Sequence, residues 1–238
     1  MTLRDDLIEA RDEIVQTDFT SRDGTVVPKT IDVGYNESVK LAATYLYADM
    51  ANSTGLREIS PATTVGKVMR LYLELSVRII RAQQGHIRSF DGDRVMGIYI
   101  GTGRADRAVK SAMQILWACN NLIQPEITSR YKSIKDVGWI VKPGSGVASS
   151  DALIVRGGVR KSSSDLVSIG IAPNMAAKLS DIRHPPYRTR IGKGTYSSLS
   201  DSLKYSVRNG EDMWGGPHSL EMGGKSFEYY RSSYMWSV

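Results

Sequence analysis

The chain has 238 residues, of which 24% are charged and 41% hydrophobic, and 31 Lys and Arg residues against 25 Asp and Glu residues give a net charge of +6. This composition excludes collagen, low-complexity and disordered chains, and the length allows a substantial core. The single cysteine, Cys119, excludes an internal disulfide and a thiolate metal site. An acidic start and the lack of a long apolar run predict a cytoplasmic protein with no membrane association. The positive charge suits an anionic partner, and no motif favours nucleic acid over nucleotides.

The N-terminal part is predicted to be an extension, residues 1–38, that precedes a folded domain over residues 39–238. A helix is expected over residues 3–16. From Val39 to Met50 the apolar and aromatic run VKLAATYLYADM predicts a strand buried on both faces. A small polar turn follows over residues 51–55, and apolar residues at three- and four-residue steps from Val65 to Ile79 predict an amphipathic helix.

The remainder of the chain alternates between strand and helix patterns. A hairpin is predicted around Asp91-Gly92-Asp93, because Asp-Gly pairs favour tight turns. The further predicted elements, in chain order, are a helix over 105–122, two strands over 138–155 broken at Pro143-Gly144, a polar and basic loop over 156–165 (including Arg156, Arg160 and Lys161), a strand over 166–172, a helix over 173–182, a strand over 187–191, a helix over 194–204 and a last strand or hairpin over 219–231. This order predicts an α+β sandwich, in which helices cover a sheet.

Two aspartates mark the candidate site. Asp49 ends the buried strand and Asp93 lies at the hairpin tip, so antiparallel packing would bring their carboxylates together. Mg²⁺ and Mn²⁺ favour carboxylate, carbonyl and phosphate oxygens, and the N–H groups of the small turn after Asp49 suit a triphosphate. Taken alone, however, an aspartate at a strand end or in a hairpin more often forms a cap or a turn.

Four blocks of sequence together resemble one family. The blocks LYADMANSTGL, GHIRSFDGDRVMGIYIG, GSGVASSDALIVRGGV and LVSIGIAPNMAAKL resemble, in order and spacing, the catalytic domain of class III nucleotidyl cyclases over roughly residues 40 to 235. The resemblance implies a mostly antiparallel central sheet covered by helices and a head-to-tail homodimer with shared active sites. It also implies cyclisation of a nucleoside triphosphate with release of pyrophosphate.

The resemblance assigns roles to individual residues. Asp49 and Asp93 would hold two divalent metal ions, Mn²⁺ or Mg²⁺, with the Met50 carbonyl as a further ligand. Asn174 would orient the ribose, and Lys178 stands where the family has an Arg that stabilises charge on the transferred phosphoryl group. The phosphates would lie on the turn after the strand, formed by Ala51, Asn52, Ser53 and Thr54.

Departures from the family pattern concern the base. Ser89 and Val167 stand where purine-specific members carry the residues that recognise adenine or guanine, and neither has the charge for that role. Tyr47, two residues before Asp49, would narrow the base pocket. Lys225 is a candidate substitute for a family lysine. These features resemble the pyrimidine cyclases of Pycsar anti-phage systems, which implies UTP, or less favourably CTP, as substrate and a separate effector that binds the product.

Two alternatives remain open at this stage. The first is a purine cyclase, because substitutions at Ser89 and Val167 alone do not define a pyrimidine pocket. The second is a catalytically silent domain that binds nucleotide as a sensor. The identity of the product separates the cyclases from one another, and the absence of turnover would favour the silent domain.

Overall fold

The computed structural model describes residues 2–159 and 162–238. Within them, the helices are α1 Leu3–Gln16, α2 Ser53–Ile59, α3 Ala62–Ala82, α4 Arg104–Ala118, α5 Gln124–Arg130, α6 Lys132–Val137, α7 Ile171–Asp181, α8 Lys193–Ser197 and α9 Asp201–Lys204. The strands are β1 Thr20–Asp23, β2 Glu37–Ala51, β3 His86–Asp91, β4 Arg94–Ile100, β5 Lys142–Gly158, β6 Ser164–Ile169, β7 Thr189–Gly192, β8 Gly215–Met222 and β9 Lys225–Ser232. A 3₁₀ turn, Thr30–Asp32, precedes β2, and a π-helical turn, Cys119–Ile123, joins α4 to α5.

The described strands form one sheet in the order β3-β4-β2-β5-β7-β9-β8, with β1 beside β2 and β6 beside β5. The β1–β2 and β5–β7 pairs are parallel and the other pairs are antiparallel. The predicted α+β sandwich with a mostly antiparallel sheet is therefore confirmed.

The central strand β2 is covered on both faces, as its apolar run predicts. One face belongs to a core that includes Leu46 and residues of α3 and α4, whereas the other contributes Tyr45 to a core that includes Leu179 of α7. Helix α7 lies very close to β5. A Cβ atom at Gly146 would stand 2.1 Å from the carbonyl oxygen of Ala176, so only glycine permits this approach.

The N-terminal segment has two parts with different surroundings. Helix α1, predicted over residues 3–16, is present but buries none of its residues, although a Thr2 and Asp5 capping box closes its start. The second part joins the domain, because β1 pairs with residues 37–40 of β2 and Val33 is fully buried in the core. The domain boundary at residue 38 stays a prediction. None of the described helices has both the length and the apolar character needed to cross a bilayer.

Several predicted boundaries were wrong. Residues 142–158 form the single strand β5. Pro143 lies next to its start, where β2 is the one partner of β5 among the described strands, so the missing N–H is tolerated. The predicted helix over 194–204 is two short helices, α8 and α9. Arg156 belongs to β5 rather than a loop, and its guanidinium lies 4.3 Å from the ring centre of Tyr35. Arg160 and Lys161 lie outside the described residues.

Candidate active site

The structure brings Asp49 and Asp93 to one end of the sheet. Asp49 lies near the end of β2 and is 7% exposed, and Asp93 lies in the turn between β3 and β4. Since β4 pairs antiparallel with β2, this turn is adjacent to the end of β2. Burial and the negative charge of Asp93 raise the pKa of Asp49 above its usual range, and the positive charges of Arg183 and Arg94 oppose this shift.

Two arginines contact the Asp49 carboxylate. The Arg183 guanidinium, from the segment after α7, donates to Oδ2, and the Arg94 Nε lies 3.8 Å from Oδ1. Arg94 also forms an ion pair with Asp181 at the end of α7. Two guanidinium groups therefore already lie beside the Asp49 carboxylate. Both arginines were missed in the sequence, because the Arg183 contact spans 134 residues of chain and Arg94 carries no signal beyond its place after Asp93.

The two carboxylates have the properties expected of metal ligands. Asp93 has a buried oxygen, Oδ2, with no hydrogen-bond partner among the described residues, and Asp49 is buried beside a second negative charge. A divalent cation would relieve both penalties. Residues 2–159 and 162–238 offer no group of three or more His, Cys, Asp or Glu side chains around a cation. The remaining ligands would thus be carbonyl, water and phosphate oxygens, which hard divalent ions accept.

The segment after Asp49 differs from the predicted turn. Met50 and Ala51 are the last residues of β2, Asn52 alone adopts a left-handed conformation with φ of 63°, and Ser53 and Thr54 already belong to α2. Asparagine tolerates this conformation better than most residues. Met50 pairs with Pro143 on β5. Because proline has no N–H, the backbone carbonyls at this end of β2 have one hydrogen-bond donor fewer than an ordinary strand neighbour would supply. The backbone after the aspartate therefore turns sharply into a helix start.

Asn174 and Lys178 lie one turn apart on α7, and both are exposed. Among the described residues, neither contributes to the ion pairs of Asp49, which come from Arg94 and Arg183. Asn174 stands in the first turn of α7 and is not its N-cap, which is Gly170. Both side chains thus face the solvent in the single chain.

The candidate base-recognition residues lie on three strands. Ser89 is exposed on β3, Val167 is 48% exposed on β6, and Tyr47 on β2 is half-buried on the same side of the strand as Asp49. An ion pair between Arg88 and Asp165 links β3 to β6, so the segments that carry Ser89 and Val167 are held together. Lys225 is exposed at the start of β9.

The fold is shared with solved nucleotide cyclases. A bacterial light-regulated adenylyl cyclase superposes with a TM-score of 0.67 at 18% identity, covering 82% of this chain, which spans about half (52%) of that longer one. The guanylyl cyclase Cya2 superposes with a TM-score of 0.66 at 16% identity over 83% of this chain and 94% of the other. No protein-family model matches the chain. The architecture is thus the class III cyclase fold.

Proteins with similar sequences show which family of nucleotide cyclases the chain belongs to. The chain is 36% identical to a uridylate cyclase of Rhodovulum sp. (strain MB263) over 98% of this chain and 97% of the relative. It is 33% identical to a uridylate cyclase of Burkholderia cepacia over the full length of both, and 30% identical to one of Xanthomonas perforans, again over both full lengths. The chain therefore belongs to the uridylate cyclase family and is a nucleotide cyclase.

Proposed function

We propose that the protein converts UTP, in preference to the alternative CTP, to the 3′,5′-cyclic nucleotide and pyrophosphate. The observation that carries this proposal is identity of 30 to 36% to three uridylate cyclases over nearly entire chains. The uncharged side chains of Ser89 and Val167 support it, because they lack the charge by which the resembled purine cyclases select their base. Tyr47, on the side of β2 that carries Asp49, would reduce the width available to a base.

The proposed chemistry is an in-line displacement at phosphorus. The ribose 3′-oxygen gives up its proton to solvent water and bonds to the α-phosphorus, while the bond from the α-phosphorus to the oxygen bridging the β-phosphorus breaks and pyrophosphate leaves with that oxygen. Two divalent ions, when bound, would acidify the hydroxyl and neutralise charge on the phosphates. Asp49, Asp93 and the Met50 carbonyl would hold these ions, and the backbone from Ala51 to Thr54 would contact the phosphates.

Helix α7 would supply the groups that contact the nucleotide from the other side. Asn174 would position the ribose, and Lys178 would stabilise the negative charge that develops on the phosphoryl group. Because both side chains are exposed in the isolated chain, we infer that they act across a head-to-tail homodimer, in which each site combines the aspartates of one protomer with α7 of its partner. The cyclic nucleotide would then act as an antiviral messenger that a separate effector binds.

The test is product analysis with purified protein. The enzyme is incubated with ATP, GTP, CTP or UTP and Mn²⁺, and products are separated and identified by mass. We expect cyclic UMP from UTP, and a loss of at least about 100-fold in Asp93→Asn, which removes a metal ligand. The matched control is Asp136→Asn, an exposed aspartate on α6, which should keep full activity. A cyclic purine as main product, or no product from any nucleotide, would contradict the proposal.

A further inference from the structure

Four arginines gather where α7, β7 and β9 meet. Arg183 and Arg188 lie in the connection from α7 to β7, Arg190 lies in β7, and Arg231 faces Arg190 on the neighbouring strand β9. The charges of the other three all act on Arg190 and lower its pKa. We refer to these four residues as the arginine cluster.

Arg190 is the buried centre of the arginine cluster. It is 1% exposed, and within the described residues its guanidinium donates to backbone carbonyls alone, those of Tyr187 at 3.0 Å and His184 at 3.5 Å. Its Nε has no hydrogen-bond partner among the described residues, and burial together with the neighbouring arginines lowers its pKa to about 10. A buried cation without an opposing charge is costly, and an anion held by the more exposed Arg183 and Arg188 would offset the charge of Arg190.

The arginine cluster is poorly neutralised by the protein itself. Within the described part of the chain, the only carboxylate that forms an ion pair with any member is Asp49, through Arg183. The Nε of Arg231 is buried and unpartnered, and its guanidinium is held 4.1 Å from the ring centre of Tyr187. Surface arginines such as Arg78 and Arg130 differ, since each pairs with a glutamate on its own helix.

We propose that the arginine cluster binds an oligophosphate anion, either the terminal phosphates of the nucleotide or the pyrophosphate released from it. Several guanidinium groups offer the forked donors and the charge that adjacent phosphates need, whereas one carboxylate would neutralise only one of them. Arg183 connects this site to Asp49 and so places it beside the candidate metal ligands. The site is distinct from the backbone turn at residues 51–54, and its assignment to these anions depends on the proposed function.

The test measures anion binding without turnover. Binding of inorganic pyrophosphate and of a non-hydrolysable UTP analogue is titrated by calorimetry in EDTA, so that neither the metal ions nor catalysis contribute. We compare the wild type with Arg188→Gln and Arg231→Gln, and use Arg208→Gln, an exposed arginine outside the cluster, as the matched control. Each cluster variant should weaken pyrophosphate binding about tenfold, and the control should bind as the wild type does.

The pattern of loss separates the two sources of the anion. If the cluster variants also bind the UTP analogue more weakly, the site holds phosphates of both the substrate and the product. If only their pyrophosphate affinity falls, the site holds the released product. Folding is checked by melting in anion-free buffer, where relief of like-charge repulsion should leave each variant at least as stable as the wild type. Absence of metal-free pyrophosphate binding in the wild type, or equal binding by all four proteins, would overturn the site while leaving the cyclase proposal intact.

Discussion

The guanidinium of Arg183 donates a hydrogen bond to the carboxylate of Asp49, although the two residues are 134 positions apart in the chain. Asp49 is buried and Arg183 is partly exposed, so the arginine is the solvent-facing partner of this ion pair at the end of β2. In the proposed mechanism the same carboxylate holds a divalent ion. In that mechanism, Arg183 would compete with the metal ion for the Asp49 carboxylate.

Removing this competitor should tighten metal binding. In nucleotide-free protein, we expect Arg183→Gln to lower the dissociation constant for Mn²⁺ several-fold, because the ion pair of the partly exposed Arg183 with Asp49, worth on the order of 1 kcal/mol, no longer has to be broken. The loss of a nearby positive charge acts in the same direction. Mn²⁺ binding is followed by electron paramagnetic resonance, with Arg208→Gln as the control. Unchanged or weaker Mn²⁺ affinity in Arg183→Gln would show that the arginine does not compete.

The raised pKa of Asp49 predicts how metal-free stability changes with pH. A carboxyl whose pKa is higher in the folded than in the unfolded chain stabilises the fold most below about pH 3.9, and this contribution is lost as pH rises through the folded pKa. In EDTA, the free energy of unfolding of the wild type should therefore fall relative to Asp49→Asn between acidic and neutral pH. Urea denaturation across this range measures it. If the free energy of unfolding of the wild type instead rises relative to that of Asp49→Asn as the pH increases, the prediction is wrong.

The inferred head-to-tail dimer can be tested by mixing inactive chains. Asp93→Asn would remove a proposed metal ligand and Lys178→Ala removes the exposed cation of α7, so each homodimer should have about 1% of wild-type activity or less. If each site combines two protomers, a mixed dimer contains one site free of both substitutions, and random mixing should restore about a quarter of the wild-type activity. Sites built within single protomers would show no recovery. Lys178→Arg, which keeps the charge, should remain active.

Close packing of α7 on β5 should depend on Gly146. A methyl group there would stand 2.1 Å from the Ala176 carbonyl oxygen, so Gly146→Ala should lower the free energy of unfolding by about 2–3 kcal/mol and displace α7. The control is Gly66→Ala in α3, where an added Cβ meets no atom within 4 Å and improved helix propensity should stabilise by up to about 1 kcal/mol. Chemical denaturation measures both variants, and equal stability would refute the packing argument.

Sequence patterns predicted the parts of this molecule that depend on local order. The apolar run of β2 and the Asp-Gly turn between β3 and β4 are properties of short segments, so the positions of Asp49 and Asp93 followed from them. The continuity of β5 through Pro143 could not be predicted, because it depends on having only β2 as a neighbour at that point. The contact of Arg183 with Asp49 depends on tertiary packing, for which the sequence has no local pattern.

Helix α7 also has a consequence for communication between protomers. Its last residue, Asp181, is tied through Arg94 to the aspartate end of its own chain, whereas its exposed Asn174 and Lys178 would serve the partner's nucleotide. A displacement at one end of this eleven-residue helix would move the other end as well. Binding of a metal ion that separates Asp49 from its arginines would thus change the contacts that α7 of the same protomer makes with the nucleotide in the other active site. The two active sites of the dimer would then be allosterically coupled.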